Sequence, residues 1–238
     1  MTLTVALVNQ SPLDDAVLSP MAAALATQAN RDLARWWPQA ANVSVVYVPQ
    51  GQTAPPGIWW LVALDHSDQA GALGYHDETD DGQPLGKAFI GTDIAYGSSW
   101  SSTLSHELCE MLIDPTCSMM IDTLRGTAMQ EVCDPCEADQ YGYDVGGMLM
   151  SDFVTPRYYT DRTAVPGAAY DYGGHITAPM QVLEDGYLSI IDPASGQWSQ
   201  VDGRRVPLRH QTMPVGSRRE RRRRRLERHP WHRSKTRP

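Results

Sequence analysis

The chain has 238 residues, 42% of them hydrophobic, and a formal net charge of −8. That length supports one well-buried domain with an appendage, and no run reaches the roughly 18 apolar residues of a membrane span, so no membrane association is expected. The charge is divided: residues from Gly203 onward carry 14 Lys/Arg against 2 Asp/Glu, and residues 1–202 carry 6 against 26. The acidic body repels nucleic acid and suits cations, which leaves the tail alone with the charge to bind polyanions.

The opening MTLTVALVNQSP has neither a basic leader region nor a small-residue cleavage site, and reads as the start of a cytoplasmic or virion-associated chain. Leu3–Asn9 is a short apolar run with β-branched residues and predicts a buried strand. Leu13 to about Trp37 predicts a helix closed by Pro38. Val43–Val48 predicts a second strand, so the opening reads as a βαβ unit with a parallel pair. Gly57–Leu64 predicts a third, core strand. Ala72–His76 and Lys87–Gly91 flank an acidic, glycine-bearing loop, Asp77–Gly86, and read as a short edge strand and a further strand.

Next comes TLSHELCEMLIDP, residues 103–115. With Leu104 as the zero of a helical wheel at about 100° per residue, Leu108, Met111 and Leu112 lie within about 80° of it. They form an apolar stripe, while His106, Glu110 and Asp114 fall on the other side. Gly97–Ser99 is the polar turn leading in, Ser101, Ser102 or Thr103 can cap the start, and Pro115 ends the helix. Beyond it, periodic signals are few until YDVGGMLMSDFVTPRYY, which predicts a hairpin turning at Gly146–Gly147. Residues 161–180 read as loop. Gln181–Val201 reads as short strands with turns at Glu184–Gly186 and Asp192–Gly196. From Gly203 the like-charge block RRERRRRRLERH cannot bury a core and predicts disorder.

The chemistry concentrates on the helix. Zinc takes imidazole, thiolate and carboxylate ligands, and a catalytic site keeps one position for water. His106 and Glu110, at i and i+4, supply two ligands from one rigid element. Glu107 lies beside that pair without belonging to it, where a general base for an activated water belongs. A third ligand has to come from elsewhere, and EVCDPCE, residues 131–137, offers three carboxylates. Glu131 is the first choice. Asp134 is the alternative, or the carboxylate that orients His106. Asp114, two turns along the helix, is far for a shared ion. Cys109, Cys117, Cys133 and Cys136 cluster near the helix. Buried free thiols, a disulfide among them, or a structural thiolate zinc site all stay open, and the absence of a leader favours a reducing compartment. His66 and His76 read as solvated loop residues, with substrate contact as the alternative. Met148 and Met150 read as hairpin core.

TLSHELCEML resembles the active-site helix of the zincin metallopeptidases, with Glu110 at the position of their second motif histidine. The edge-strand-like GALGYH and the strand KAFIGTD fit the same layout. The pair HELCEMLIDP and EVCDPC also looks like one in HExxE-type bacterial and phage zincin-like proteins and, more loosely, in plant exordium-type proteins. The resemblance covers about residues 103–137 and implies an α/β, zincin-like mixed β-sheet with an active-site helix over 1–202, with β-hairpins in its C-terminal half. Residues 203–238 form the tail. It implies a zinc-dependent metallopeptidase or other hydrolase acting on a peptide or protein, with His106, Glu110, Glu131 or Asp134 on the metal and Glu107 as base. Two other readings come from different classes. One is a non-catalytic zincin-like scaffold, such as a virion or interaction protein. The other is a nucleic-acid-associated protein that holds polyanions weakly through the tail. Oligomeric state is not set by the sequence.

Overall fold

The computed structural model describes residues 2–69, 72–192 and 194–203, so the expected disorder of the arginine-rich tail falls outside the described residues. Strand β1 (Leu3–Gln10) carries the first apolar run. The single helix expected from Leu13 to Trp37 is broken into α1 (Asp15–Leu18), α2 (Met21–Thr27) and a wide turn over Gln28–Leu33, with Pro38–Ala40 forming a tight turn afterwards. Pro20 is the reason for the first break: it has no N–H to continue α1, and its carbonyl takes Ala24 N to start α2. The second break is a slip of the ladder, with Ala34 N donating to Ala29 O, five residues back.

Strand β2 (Val43–Val48) runs parallel to β1 with Leu3 opposite Val43, as a βαβ unit requires. Strand β3 (Trp59–Leu64) lies on the other side of β1, also parallel. Strands β4 (Gly74–Glu78) and β5 (Pro84–Phe89) reach into the segment expected to be loop, leaving only a turn closed by Thr79 N on Gln83 O. The sheet order is β2-β1-β3-β5-β4, with β4 the one antiparallel strand and an edge.

A short helix that the sequence did not suggest, α3 (Ile90–Tyr96), follows β5 and ends at Gly97, whose φ of 73° suits a left-handed cap. Helix α4 (Trp100–Ile113) carries HELCE. Its cap is Ser99, whose hydroxyl accepts from Ser102 N, rather than Ser101, Ser102 or Thr103. The weakly patterned stretch after Pro115 holds a second unanticipated unit, the hairpin β6 (Met120–Thr123) and β7 (Gly126–Met129). The predicted hairpin is present as β8 (Tyr143–Val145) and β9 (Met148–Met150), and Gly146 and Gly147 both take positive φ in its turn. Helix α5 (Pro156–Thr160) follows, and β10 (Tyr187–Ile191) and β11 (Trp198–Asp202) join the first hairpin in the order β11-β10-β7-β6. The architecture is mixed α/β, as expected. Among the described residues no helix is long and apolar enough to cross a membrane.

The alternation of β1 sends Val5 and Leu7 to the main core with Leu18, Leu25, Leu104, Leu108 and Met111, while Ala6 and Val8 pack on the far face with Val48. Helix α4 is buried along nearly its whole circumference: of its 14 residues only Trp100 and Thr103 are not buried. The apolar stripe meets the core as expected, and the face with His106 and Glu110 is covered as well. A covered face made of ionisable groups is costly unless those groups are matched to one another or to an ion.

Candidate metal centre

Three pieces of chain bring ionisable side chains together inside the protein. The first is α4, with His106, Glu107 and Glu110. The second is the edge strand β4, with His76. The third is the segment 131–136, with Glu131 and Asp134. All six are buried, and His106, at 7% exposure, is the most accessible of them.

The third segment is fixed by its carbonyls. Tyr159 Oη donates to Glu131 O at 2.8 Å, Val154 N to Val132 O at 2.7 Å and Leu183 N to Pro135 O at 2.9 Å. With the backbone anchored from outside, the Glu131 and Asp134 side chains turn inward. The edge strand is held close because residue 74 is glycine. A Cβ there would stand 2.6 Å from Glu107 Oε1 and 2.9 Å from the Lys87 carbonyl oxygen. Gly74→Ala is therefore expected to push β4 off α4 and to cost about 1–3 kcal/mol, the usual range for overpacking. Urea denaturation measures this, and an unchanged midpoint would show that the contact is loose.

His106 Nε2 stands 3.2 Å from Glu110 Oε1 and 3.4 Å from Asp134 Oδ1. His76 Nδ1 stands 3.5 Å from Glu110 Oε2 and 3.8 Å from Glu107 Oε2, and Glu131 Oε2 lies 3.8 Å from His76 Nε2. Two ligands about 2.0–2.1 Å from a tetrahedral zinc are about 3.3 Å apart, so the spacings at His106 Nε2 and between His76 Nδ1 and Glu110 are close to those of a coordination shell's edges. Two sets of three meet metal-ligand spacing: His106, Glu110 and Asp134, and His76, Glu110 and Glu131.

Without an ion, the imidazoles are the cations facing these carboxylates. Burial opposes protonation of His106, but Glu110 and Asp134 outweigh it and hold its pKa well above the ordinary value. Burial likewise opposes protonation of His76, and Cys117 and Glu131 override it. Burial would raise Glu110, yet the two imidazoles hold it well below the carboxylate range. The cluster holds four carboxyl groups, Glu107, Glu110, Glu131 and Asp134, against two imidazoles. A divalent cation suits that donor set and that excess.

His106, Glu107, Glu110, Glu131 and Asp134 converge on one place. Asp134 lies beside His106, and Glu131, the first choice for His106's set, lies instead beside His76. Asp114 is turned elsewhere: its carboxylate accepts from Ser118 N and Met119 N and so holds the turn after α4. His76 is not a loop residue in solvent but a buried strand residue within the cluster, whereas His66 is exposed. The signal for His76 was its place in the segment read as an edge strand beside the helix, since a strand packed on a helix turns alternate residues toward it. All four cysteines are free and buried, and none joins a metal-spaced group among the described residues. Met150 is buried hairpin core.

A third group, Asp152, Asp171 and His175, also has metal-ligand spacing. Its carboxylates already hold a loop: Asp152 accepts from Phe153 N and Gly173 N, and Asp171 from His175 N and Ile176 N. Burial, and then the neighbouring Asp171, push Asp152 up to about 8. A carboxyl whose pKa is raised on folding contributes stability at low pH and loses it as pH rises through the folded value. Asp152→Asn keeps the protonated form's hydrogen bonds without the titration. It is expected to flatten the decline in denaturation midpoint between about pH 5 and about pH 8 relative to wild type. Equal slopes for the two proteins would contradict the raised Asp152 pKa.

Comparison with protein-family models, with curated proteins and with solved structures finds no match for this chain. The fold and the site themselves therefore define its class: a mixed α/β protein with a buried imidazole–carboxylate cluster at metal-ligand spacing.

Proposed function

We propose that the chain is a zinc-dependent hydrolase of the zincin-like type, acting on a peptide or protein, with His106, Glu110 and Asp134 as metal ligands and Glu107 as general base. The observation that carries this reading is the burial of both imidazoles against carboxylates at 3.2–3.8 Å. The antiparallel edge strand β4 beside α4 supports the zincin-like layout that HELCEML suggested. When bound, the ion would act as a Lewis acid and make a water nucleophilic near neutral pH. The residues do the rest. Glu107, held between Gly74 and His76, accepts the proton and returns it to the leaving group. Asp134 completes the ligand set from the third segment, its Oδ1 3.4 Å from the same His106 Nε2 that faces Glu110.

The same burial favours a second reading, a scaffold in which the metal ties β4, α4 and residues 131–136 together and no substrate is turned over. The two readings separate on a panel of internally quenched peptides. Cleavage by zinc-loaded protein that is lost on chelation and restored by zinc supports the hydrolase. A fully zinc-loaded protein that cuts no peptide leaves the scaffold. The polyanion reading belongs to the tail: binding that falls steeply with salt and disappears on removing residues 203–238 would carry it.

A further inference from the structure

We propose that the cluster is built for two metal ions, with Glu110 bridging them and His76 as a ligand of the second. This rests on the metal-binding reading above and extends it. The decisive geometry is at Glu110, whose two oxygens face different imidazoles: Oε1 is 3.2 Å from His106 Nε2 and Oε2 is 3.5 Å from His76 Nδ1. A carboxylate that presents one oxygen to each of two nitrogen donors is placed as the bridge of a two-metal site, where the ions sit about 3.5–4 Å apart. Asp134 stands with His106, and Glu131 is grouped with His76, its Oε2 3.8 Å from Nε2; the two three-residue sets share only Glu110.

The second observation is the state of the His76 ring. Its Nε2 lies 3.1 Å from the backbone carbonyl of Asp114. A carbonyl can only accept, so Nε2 keeps its proton, and Nδ1 is the nitrogen that can give up a proton to an ion. Donation of the far ring N–H to a backbone carbonyl is the arrangement that fixes a metal-binding histidine's tautomer and orientation. Nδ1 is buried, makes no hydrogen bond and is aimed at Glu110 Oε2 and Glu107 Oε2. The His76 main chain is held as well, its carbonyl accepting from Cys117 Sγ at 3.1 Å. One ion at His106 uses the first three-residue set, and a second ion takes the set of His76, Glu110 and Glu131. The ligand class is a borderline-soft or hard divalent cation taking nitrogen and oxygen donors, with zinc and manganese as the ions to try.

The test is the binding stoichiometry of the full chain, stripped with chelator and titrated with zinc, alongside His76→Gln and His106→Gln. Two equivalents for wild type and one for each variant are expected. Manganese loading gives a reading that needs no variant. Two bridged Mn(II) ions produce an exchange-broadened electron paramagnetic resonance spectrum, and a single ion gives an isolated six-line signal. Saturation of wild type at one equivalent, with the six-line signal, would overturn the two-ion proposal and leave the single-ion hydrolase standing. No binding at all would overturn both.

Discussion

Glu107→Gln is expected to leave the bound metal in place and to lower hydrolysis by about 10²- to 10⁴-fold, the range for loss of a general base. The amide keeps the size of the carboxylate and its packing under Gly74, so the fold is not disturbed. What it loses is the capacity to accept a proton. The checks are metal content and the steady-state rate on the same preparation. An unchanged rate with metal bound would remove Glu107 from the chemistry. Loss of metal would instead make it a ligand.

The second large effect is at Glu110. This carboxylate is fully buried and faces both imidazoles. Glu110→Gln removes the charge and keeps the shape. Breaking a buried ion pair by removing one partner costs about 3–5 kcal/mol, and because Asp134 still faces His106 and Glu107 still faces His76, the lower end is expected. The sign with pH follows from the depressed pKa. A carboxylate held below its ordinary value contributes stability above that value and loses it as pH falls. The deficit of Glu110→Gln measured in chelator is therefore expected to be largest near neutral pH and to shrink in acid. Zinc affinity should fall by more than about 10²-fold, beyond the effect of losing an outer partner. Denaturation midpoints with and without zinc check both parts, since a ligand that binds only the folded state raises stability by mass action. A variant as stable as wild type in chelator would mean that the imidazoles do not depend on Glu110.

The parts of the fold legible in the sequence are those where one local rule dominates. The apolar, β-branched runs at Leu3–Gln10 and Val43–Val48 are strands, and the paired glycines at 146 and 147 make a hairpin turn. The stripe Leu104, Leu108, Met111 and Leu112 sets the core face of α4. Elsewhere tertiary context decided. The β6–β7 hairpin is short, half-exposed and held by β10 rather than by its own pattern. The helix after β1 has apolar spacing throughout, but Pro20 breaks its hydrogen-bond ladder. In the site, HELCE announced His106, Glu107 and Glu110, and the nearby acidic block announced Glu131 and Asp134. His76 was misread because it sits 30 residues before His106 in a polar-looking stretch. Only the pairing of β4 with β5 carries it onto the helix. The division of Glu131 and Asp134 between two imidazoles depends on anchors at Tyr159, Val154 and Leu183 that no local pattern encodes.

The claim on which the rest depends is that the buried imidazoles and carboxylates, and not the thiols, form a metal centre. Zinc-edge X-ray absorption on protein purified without chelator addresses this directly. The expected result is bound zinc with a shell of nitrogen and oxygen at about 2.0–2.2 Å, multiple scattering from imidazole, and no sulfur. A sulfur shell near 2.3 Å would place the metal on the cysteines, and protein that holds no zinc even after reconstitution would contradict a metal centre altogether.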